Sequence, residues 1–161
     1  MIVHPIPPFY RKDSRILILG SFPSVKTREM GFFYGHPQNR YWKVLAALFE
    51  EAVPQTVEEW KGFLLRHHIA AWDVLYACEI TGSSDASIRS AVPTDLRPIL
   101  DAADIRQIFV NGKTAEKMYK RFQEPQLARP CLCLPSTSPA NAAWSLEKLT
   151  EAWRQILPFL L

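Results

Sequence analysis

The sequence predicts an α/β fold, a three-layer α/β/α domain around a central, mainly parallel, four-stranded sheet. Three observations carry that expectation. Apolar runs of strand length recur along the chain, and the first stops at a glycine. Segments with apolar residues every three or four positions lie between them, some opening on recognisable helix caps. Strands and helices alternate instead of segregating, as they do in a parallel sheet covered on both faces. No linker, repeat or low-complexity tract interrupts residues 1–161, so one domain is expected.

Arg15-Ile16-Leu17-Ile18-Leu19-Gly20 reads as the first buried strand. From Asn39 to Phe49 the residues Tyr41, Trp42, Leu45, Leu48 and Phe49 keep helical spacing. Thr56-Val57-Glu58-Glu59 has the form of a capping box and opens a helix bearing Trp60, Phe63 and Leu64. Ile69-Ala70-Ala71-Trp72 is a second strand, and Asp95 to Ala102 a short helix. Ile105 to Val110 forms a third strand, which Gly112-Lys113-Thr114 turns into a helix ending near Phe122. Pro130 to Leu134 is a fourth strand. Ser145 caps the last helix, whose core stripe is Leu146, Leu149, Trp153, Ile156 and Leu160.

Composition excludes several classes. Apolar residues make up 48% and charged residues 22%, as in an ordinary globular protein. No apolar stretch reaches the ~20 residues a membrane span needs. Met1-Ile2-Val3-His4-Pro5 has no basic segment leading into an apolar run, so a cytoplasmic location is expected. Cys78, Cys131 and Cys133 are too few for a disulfide framework. Cys131 and Cys133 share one face of a strand and read as small buried hydrophobes. The histidines at 4, 36, 67 and 68 have no metal-shell spacing, so neither metal nor cofactor is expected. A net charge of +3 is compatible with a polyanionic partner. Lys26, Arg28, Arg40 and Lys43 gather in one region, and Lys113, Lys117, Lys120 and Arg121 in another.

Ligands of such sheets bind beyond the carboxyl ends of the strands. Four segments follow the strands: Ser21 to Arg40, Asp73 to Ser90, Asn111-Gly112-Lys113, and Pro135 to Asn141. No P-loop, dinucleotide fingerprint, nucleophile elbow or metalloprotease helix is present. Any chemistry must therefore use polar side chains and water. Phe32-Phe33-Tyr34 stands between glycines, and such a cluster suits a flat ligand, since base–aromatic stacking contributes ~1–3 kcal/mol. Phe32 and Phe33 equally fit a plug onto the core.

The run Tyr34-Gly35-His36-Pro37-Gln38-Asn39-Arg40-Tyr41-Trp42-Lys43-Val44-Leu45 resembles a stretch of mismatch-specific uracil-DNA glycosylases. So does Leu134-Pro135-Ser136-Thr137-Ser138-Pro139-Ala140-Asn141. With Gly20-Ser21-Phe22-Pro23-Ser24, the whole resembles most the hypoxanthine-DNA (deoxyinosine) glycosylase branch of the uracil-DNA glycosylase superfamily. The likeness spans about Arg15 to Trp153. It implies a monofunctional glycosylase acting on double-stranded DNA that holds a deaminated base. It implies Asn39 as the catalytic residue and Tyr34 as the aromatic under the flipped base, and it implies Ser136, Thr137, Ser138, Pro139, Ala140 and Asn141 as the loop entering the minor groove. Phe22 stands where the mismatch-specific enzymes carry their water-positioning asparagine, which argues against uracil as the substrate.

Hydrolysis of an N-glycosidic bond passes through an oxocarbenium-like sugar, so a positioned water can replace a strong nucleophile. A neutral amide such as Asn39 can orient that water by accepting from it. Asn39 also precedes a helix, so a cap role is the rival reading. Phe22, Phe33, His36 and Asp73 are further candidates for base contact, although His36 could brace its turn and Asp73 could cap one. Ser84 and Asp85 form a polar loop near the same edge, and Asn111 could read the base or hold the Gly112 turn. Ser24, Lys26, Lys113 and Ser138 are candidate phosphate contacts. Nothing in the sequence suggests self-association, so a monomer is expected. The rival functions are a uracil or mismatch-specific glycosylase, a non-catalytic nucleic-acid-binding module, and a small-molecule hydrolase.

Overall fold

The structure, a computed structural model, describes residues 1–161. Its centre is a four-stranded sheet of β2 (Ile16–Gly20), β3 (Ile69–Asp73), β6 (Gln107–Asn111) and β7 (Cys131–Leu134), in the order β3-β2-β6-β7. Every pairing in it is parallel, with Ile16 against Ile69 and Gln107, and Ile108 against Cys131. All of β2 and β3 is buried, as expected of continuous apolar runs covered on both faces.

Helices α1 (Val25–Met30), α2 (Tyr41–Phe49) and α3 (Val57–Arg66) connect β2 to β3, α4 (Arg97–Ala102) precedes β6, and α5 (Lys113–Phe122) with the short α6 (Glu124–Leu127) connects β6 to β7. These crossovers step in opposite directions across the sheet. Right-handed connections therefore place α2 and α3 on one face and α5 on the other. The last helix, α7 (Leu146–Trp153), packs on α2 and completes the first face. The three-layer expectation holds, and the chain reverses direction between β2 and β6, where a crevice opens.

The capping box at Thr56 forms as expected, with Thr56 Oγ accepting from Glu59 N and the Glu59 carboxylate accepting from Thr56 N. Ser145 caps α7 through Lys148 N. Beyond Trp153 the chain tightens into a 3₁₀ segment (Arg154–Leu160) that contains Pro158, which has no N–H for an α-helical bond. Leu146, expected in the core stripe, is exposed, whereas Leu149, Trp153 and Ile156 are fully buried. Cys131 and Cys133 are half-buried free thiols on the outermost strand, and burial pushes the Cys131 thiol up to about 11.

A second sheet was not expected. β1 (Ile2–Val3), β4 (Leu75–Glu79) and β5 (Arg89–Pro93) pair antiparallel in the order β1-β4-β5. The segment Asp73 to Ser90, read as one long loop, thus contains β4, a single 3₁₀ turn and the start of β5. Likewise the loop Ser21 to Arg40 contains α1. These elements are too short, and their alternation too broken by bulges, to carry a period. The N-terminal segment continues along β3, with Phe9 bridging Ala71 and the Trp72 indole donating to Ile6 O. Thr94 and Gln123 pin the β3–β4 junction. Thr94 Oγ1 donates to the Asp73 or Val74 carbonyl, and Gln123 Nε2 donates to Val74 O and Thr94 O.

Helix α3 tests the cap directly. Thr56→Ala removes the acceptor for Glu59 N and should lower unfolding stability by ~1 kcal/mol, read from the midpoint of chemical denaturation.

Candidate active site

A cleft of about 290 Å³ lies beyond the carboxyl ends of the parallel strands. Gly20 and Ser21 from the end of β2, Asp73 from β3 and Asn111 from β6 form its floor. Tyr34, His36 and Asn39 enter from the loop before α2, and Ser136 to Ala140 from the loop after β7. The crevice at the chain reversal is thus furnished by loops far apart in sequence.

Tyr34 forms one wall. Its ring lies on that of the fully buried Tyr41, with centroids 3.9 Å apart and planes 19° apart. One face is covered by Tyr41, so the opposite face meets the cleft. Tyr34 has φ of 55°, a left-handed conformation that an aromatic residue adopts only when its surroundings impose it. Its hydroxyl is buried with no hydrogen-bond partner. Burial first, then the nearby Asp73 carboxylate, raise its pKa well above the ordinary phenol value, so it stays neutral. The other two aromatics of the trio differ. Phe32 and Phe33 are core residues, 3% and 2% exposed, held by Trp42, Trp60 and Phe9. Phe33, expected to touch a base, lines the cleft although it is almost wholly buried, packed against Phe32 and His4. Phe22 lines the cleft, packed edge-on to His4 and under the Arg28 guanidinium.

Asn39 is joined to both neighbouring loops. Its Oδ1 accepts from Tyr41 N at 2.9 Å and from Thr137 Oγ1 at 2.8 Å. A backbone N–H can only donate, so the amide orientation follows. Thr137 Oγ1 in turn accepts from Asn111 Nδ2 at 3.0 Å, and Thr137 N donates to Asn111 Oδ1 at 3.1 Å. Both readings of Asn39 therefore meet in one side chain, whose oxygen braces the start of α2 while its residue lines the cleft. The expectation that Asn39 accepts from water is corrected here, because two donors already occupy that oxygen. What Asn39 offers the cleft is its Nδ2 amide, a pair of donors.

Thr137, expected to contact DNA, is fully buried, and its hydroxyl is committed to Asn39 and Asn111. Arg40, grouped by sequence with Lys26, Arg28 and Lys43, donates to the carbonyls of Ser138, Asn141 and Trp144. Asn141 braces the same loop through Ser136 O. A rigid loop results.

Asp73 lines the cleft with a side chain only 6% exposed. Its Oδ2 is 2.7 Å from His4 Nε2. His36 lines the cleft and also braces its turn, since its Nδ1 accepts from Gln38 N. Asp85 accepts from Ser21 Oγ at 2.9 Å, and burial raises its carboxyl pKa. Asp85 and Ser83, not Ser84, reach the cleft.

Ser24 lines the cleft and caps α1 through Thr27 N. Lys26 lies outside it, on an exposed turn of α1. Lys113 opens α5 and lines a second cavity of about 670 Å³, together with Gly112, Asn141 and Trp144. The two cavities share Asp85, Asn111, Ser136, Ser138 and Ala140, so they form one continuous groove. Pro139 lines the first part of it.

The model of the uracil DNA glycosylase superfamily matches residues 7–157. The chain belongs to that superfamily. A hypoxanthine DNA glycosylase of Methanosarcina acetivorans is 30% identical over 97% of this chain and 98% of its own. A hypoxanthine DNA glycosylase of Methanosarcina barkeri is 29% identical over 66% of this chain and 69% of its own. A solution NMR structure from Methanosarcina acetivorans, described as a candidate uracil DNA glycosylase, superposes with a TM-score of 0.79. It is 27% identical, and the match covers 98% of this chain and 99% of that one.

Within this superfamily member, sequence reasoning missed His4, the linking role of Thr137 and the clamp by Arg40. His4 carried no local signal, because its partner is 69 residues away across the unexpected β1–β4 pairing. The aromatic stack behind the cleft yields a test. Tyr41 Oη is buried without a partner, a condition that costs ~1–3 kcal/mol. Tyr41→Phe should therefore raise unfolding stability by roughly 1 kcal/mol in a thermal or denaturant titration.

Proposed function

We propose that this chain is a monofunctional DNA glycosylase, one domain over residues 1–161, that hydrolyses the N-glycosidic bond of deoxyinosine in double-stranded DNA. The observation that carries the reading is the cleft itself. An aromatic face (Tyr34) stands in the same small cavity as an oriented amide (Asn39). The names of the two curated relatives supply the base.

The target nucleotide must leave the stack to enter so narrow a cavity, at a few kcal/mol, which is least for a weakly paired base such as hypoxanthine. The flipped base stacks on Tyr34, with Phe22, His36 and Asp73 around its edges. Asn39 Nδ2 donates to the attacking water, occupying one lone pair and leaving the other to face C1′. The bond to the departing base breaks as the water oxygen bonds to C1′, and the water's proton leaves with the base or solvent. The fixed amide accelerates this by positioning, because its geometry is set before the substrate arrives. Ser24, Ser136, Ser138, Pro139, Ala140, Asn141 and Lys113 line the groove as the DNA contacts, and Lys26 acts only through its charge. The protein acts as a cytoplasmic monomer on DNA.

End-labelled duplexes carrying single hypoxanthine, uracil, xanthine or mismatched thymine, cleaved by alkali at abasic sites, test the reading. Release from hypoxanthine is expected. Release mainly from uracil would favour a uracil enzyme, and binding without release a non-catalytic module. Asn39→Asp separates brace from catalyst, since it keeps the acceptor for Tyr41 N and Thr137 but loses the amide donors. Single-turnover release should fall by about 10²-fold or more, on the scale of a lost positioned donor, with a nearly unchanged melting temperature. Asn39→Ala should lose both activity and ~1 kcal/mol of stability.

A further inference from the structure

An acid in a groove that receives DNA weakens the binding of phosphates, so its presence needs a reason. Three carboxylates line the continuous groove: Asp73, Asp85 and Glu116. Asp73 lines only the first cavity and is paired with His4, and Glu116 lines only the second and pairs with Lys120. Asp85 alone of the three borders both cavities. It is exposed, and no cation lies within ion-pair distance of it. The loop that carries it is nonetheless fastened. Ser21 Oγ donates to Asp85 Oδ1 at 2.9 Å, and Oδ2 has no donor from the protein. Val25 N donates to Ser83 Oγ and Arg28 Nη2 to Gly82 O, so α1 holds the same loop. Asp85 opens a single 3₁₀ turn (Asp85–Ser87), and Ser87 Oγ ties that turn by accepting from Thr81 N and donating to Ser84 O. The carboxylate is thus in place before any substrate arrives.

We infer that Asp85 faces the sugar of the everted nucleotide and stabilises the positive charge that develops there. The inference rests on the reading of the cleft as the base pocket. A sugar joins its base to its phosphates. With the base in the first cavity and the phosphates along the second, the sugar lies at their junction. Asp85, Asn111, Ser136, Ser138 and Ala140 line both cavities, and of these only Asp85 carries a charge. Breakage of the bond at C1′ sends its electron pair to the base and leaves a cation shared by C1′ and the ring oxygen. A fixed carboxylate beside that cation lowers the barrier without bonding to it. Water then adds its oxygen to C1′ and gives up a proton to the base or solvent, so Asp85 begins and ends the cycle ionised. Its repulsion of nearby phosphates acts in the ground state, whereas its attraction for the sugar arises only in the transition state.

Asp85→Asn keeps an acceptor for Ser21 Oγ and removes the charge. Single-turnover release of hypoxanthine should fall by about tenfold or more. Affinity for a duplex holding 2′-fluoro-2′-deoxyinosine, which resists hydrolysis, should hold or tighten, because a repelling charge has gone. A second measurement reads the sugar directly. Duplexes carrying a pyrrolidine abasic analogue, cationic at neutral pH, or its uncharged tetrahydrofuran counterpart differ at the sugar ring by one charge. The unaltered chain should bind the pyrrolidine duplex more tightly, and Asp85→Asn should shrink that preference by about tenfold. A role confined to bracing the loop would lower the melting temperature of Asp85→Ala and leave the pyrrolidine preference of Asp85→Asn unchanged. An unchanged release rate, or an unchanged preference, in folded Asp85→Asn overturns the inference while leaving the glycosylase reading intact. Failure of the unaltered chain to release hypoxanthine at all overturns both.

Discussion

One hydroxyl group holds three chain segments together at the edge of this sheet. Thr137 Oγ1 accepts from Asn111 at the end of β6 and donates to Asn39, which in turn braces the first turn of α2. Each bond has a fixed direction, because the backbone N–H of Tyr41 can only donate and the Asn39 oxygen can only accept. Reversing any one amide would leave a donor facing a donor. The chain is wholly buried at its centre, where an unmade hydrogen bond carries its full desolvation penalty. The loop before α2 and the loop after β7 therefore cannot shift independently, and Arg40 ties the second more firmly still through three of its carbonyls. For a glycosylase without a strong nucleophile this rigidity is the catalytic resource, since a water must be presented to C1′ at a set distance and angle.

The same edge of the sheet carries several costly features. Tyr34 holds a left-handed backbone, and the hydroxyls of Tyr34 and Tyr41 are buried unpaired. Asp73 is a buried carboxylate with a single side-chain donor. Elsewhere buried polar groups such as Gln123 and Thr94 are matched bond for bond. Two of the three buried side-chain atoms without a partner thus lie at this cleft, while the third, His68 Nδ1, lies just before the opposite end of β3.

Local pattern made much of this architecture legible. The apolar runs at Ile16 and Ile69 and the capping box at Thr56 act through neighbours a few residues away, and all three took their expected forms. Asn39 and Tyr34 were legible through the motif around them, and the structure brings both to one cavity. What escaped depends on distant pairings. β1 is only two residues long and has no periodicity of its own, yet it delivers His4 to Asp73. Thr137 and Arg40 resemble surface residues in composition, and only the meeting of two loops buries one and occupies the other. Side chains whose roles are set by contacts across 98 positions leave no trace in a window of a dozen.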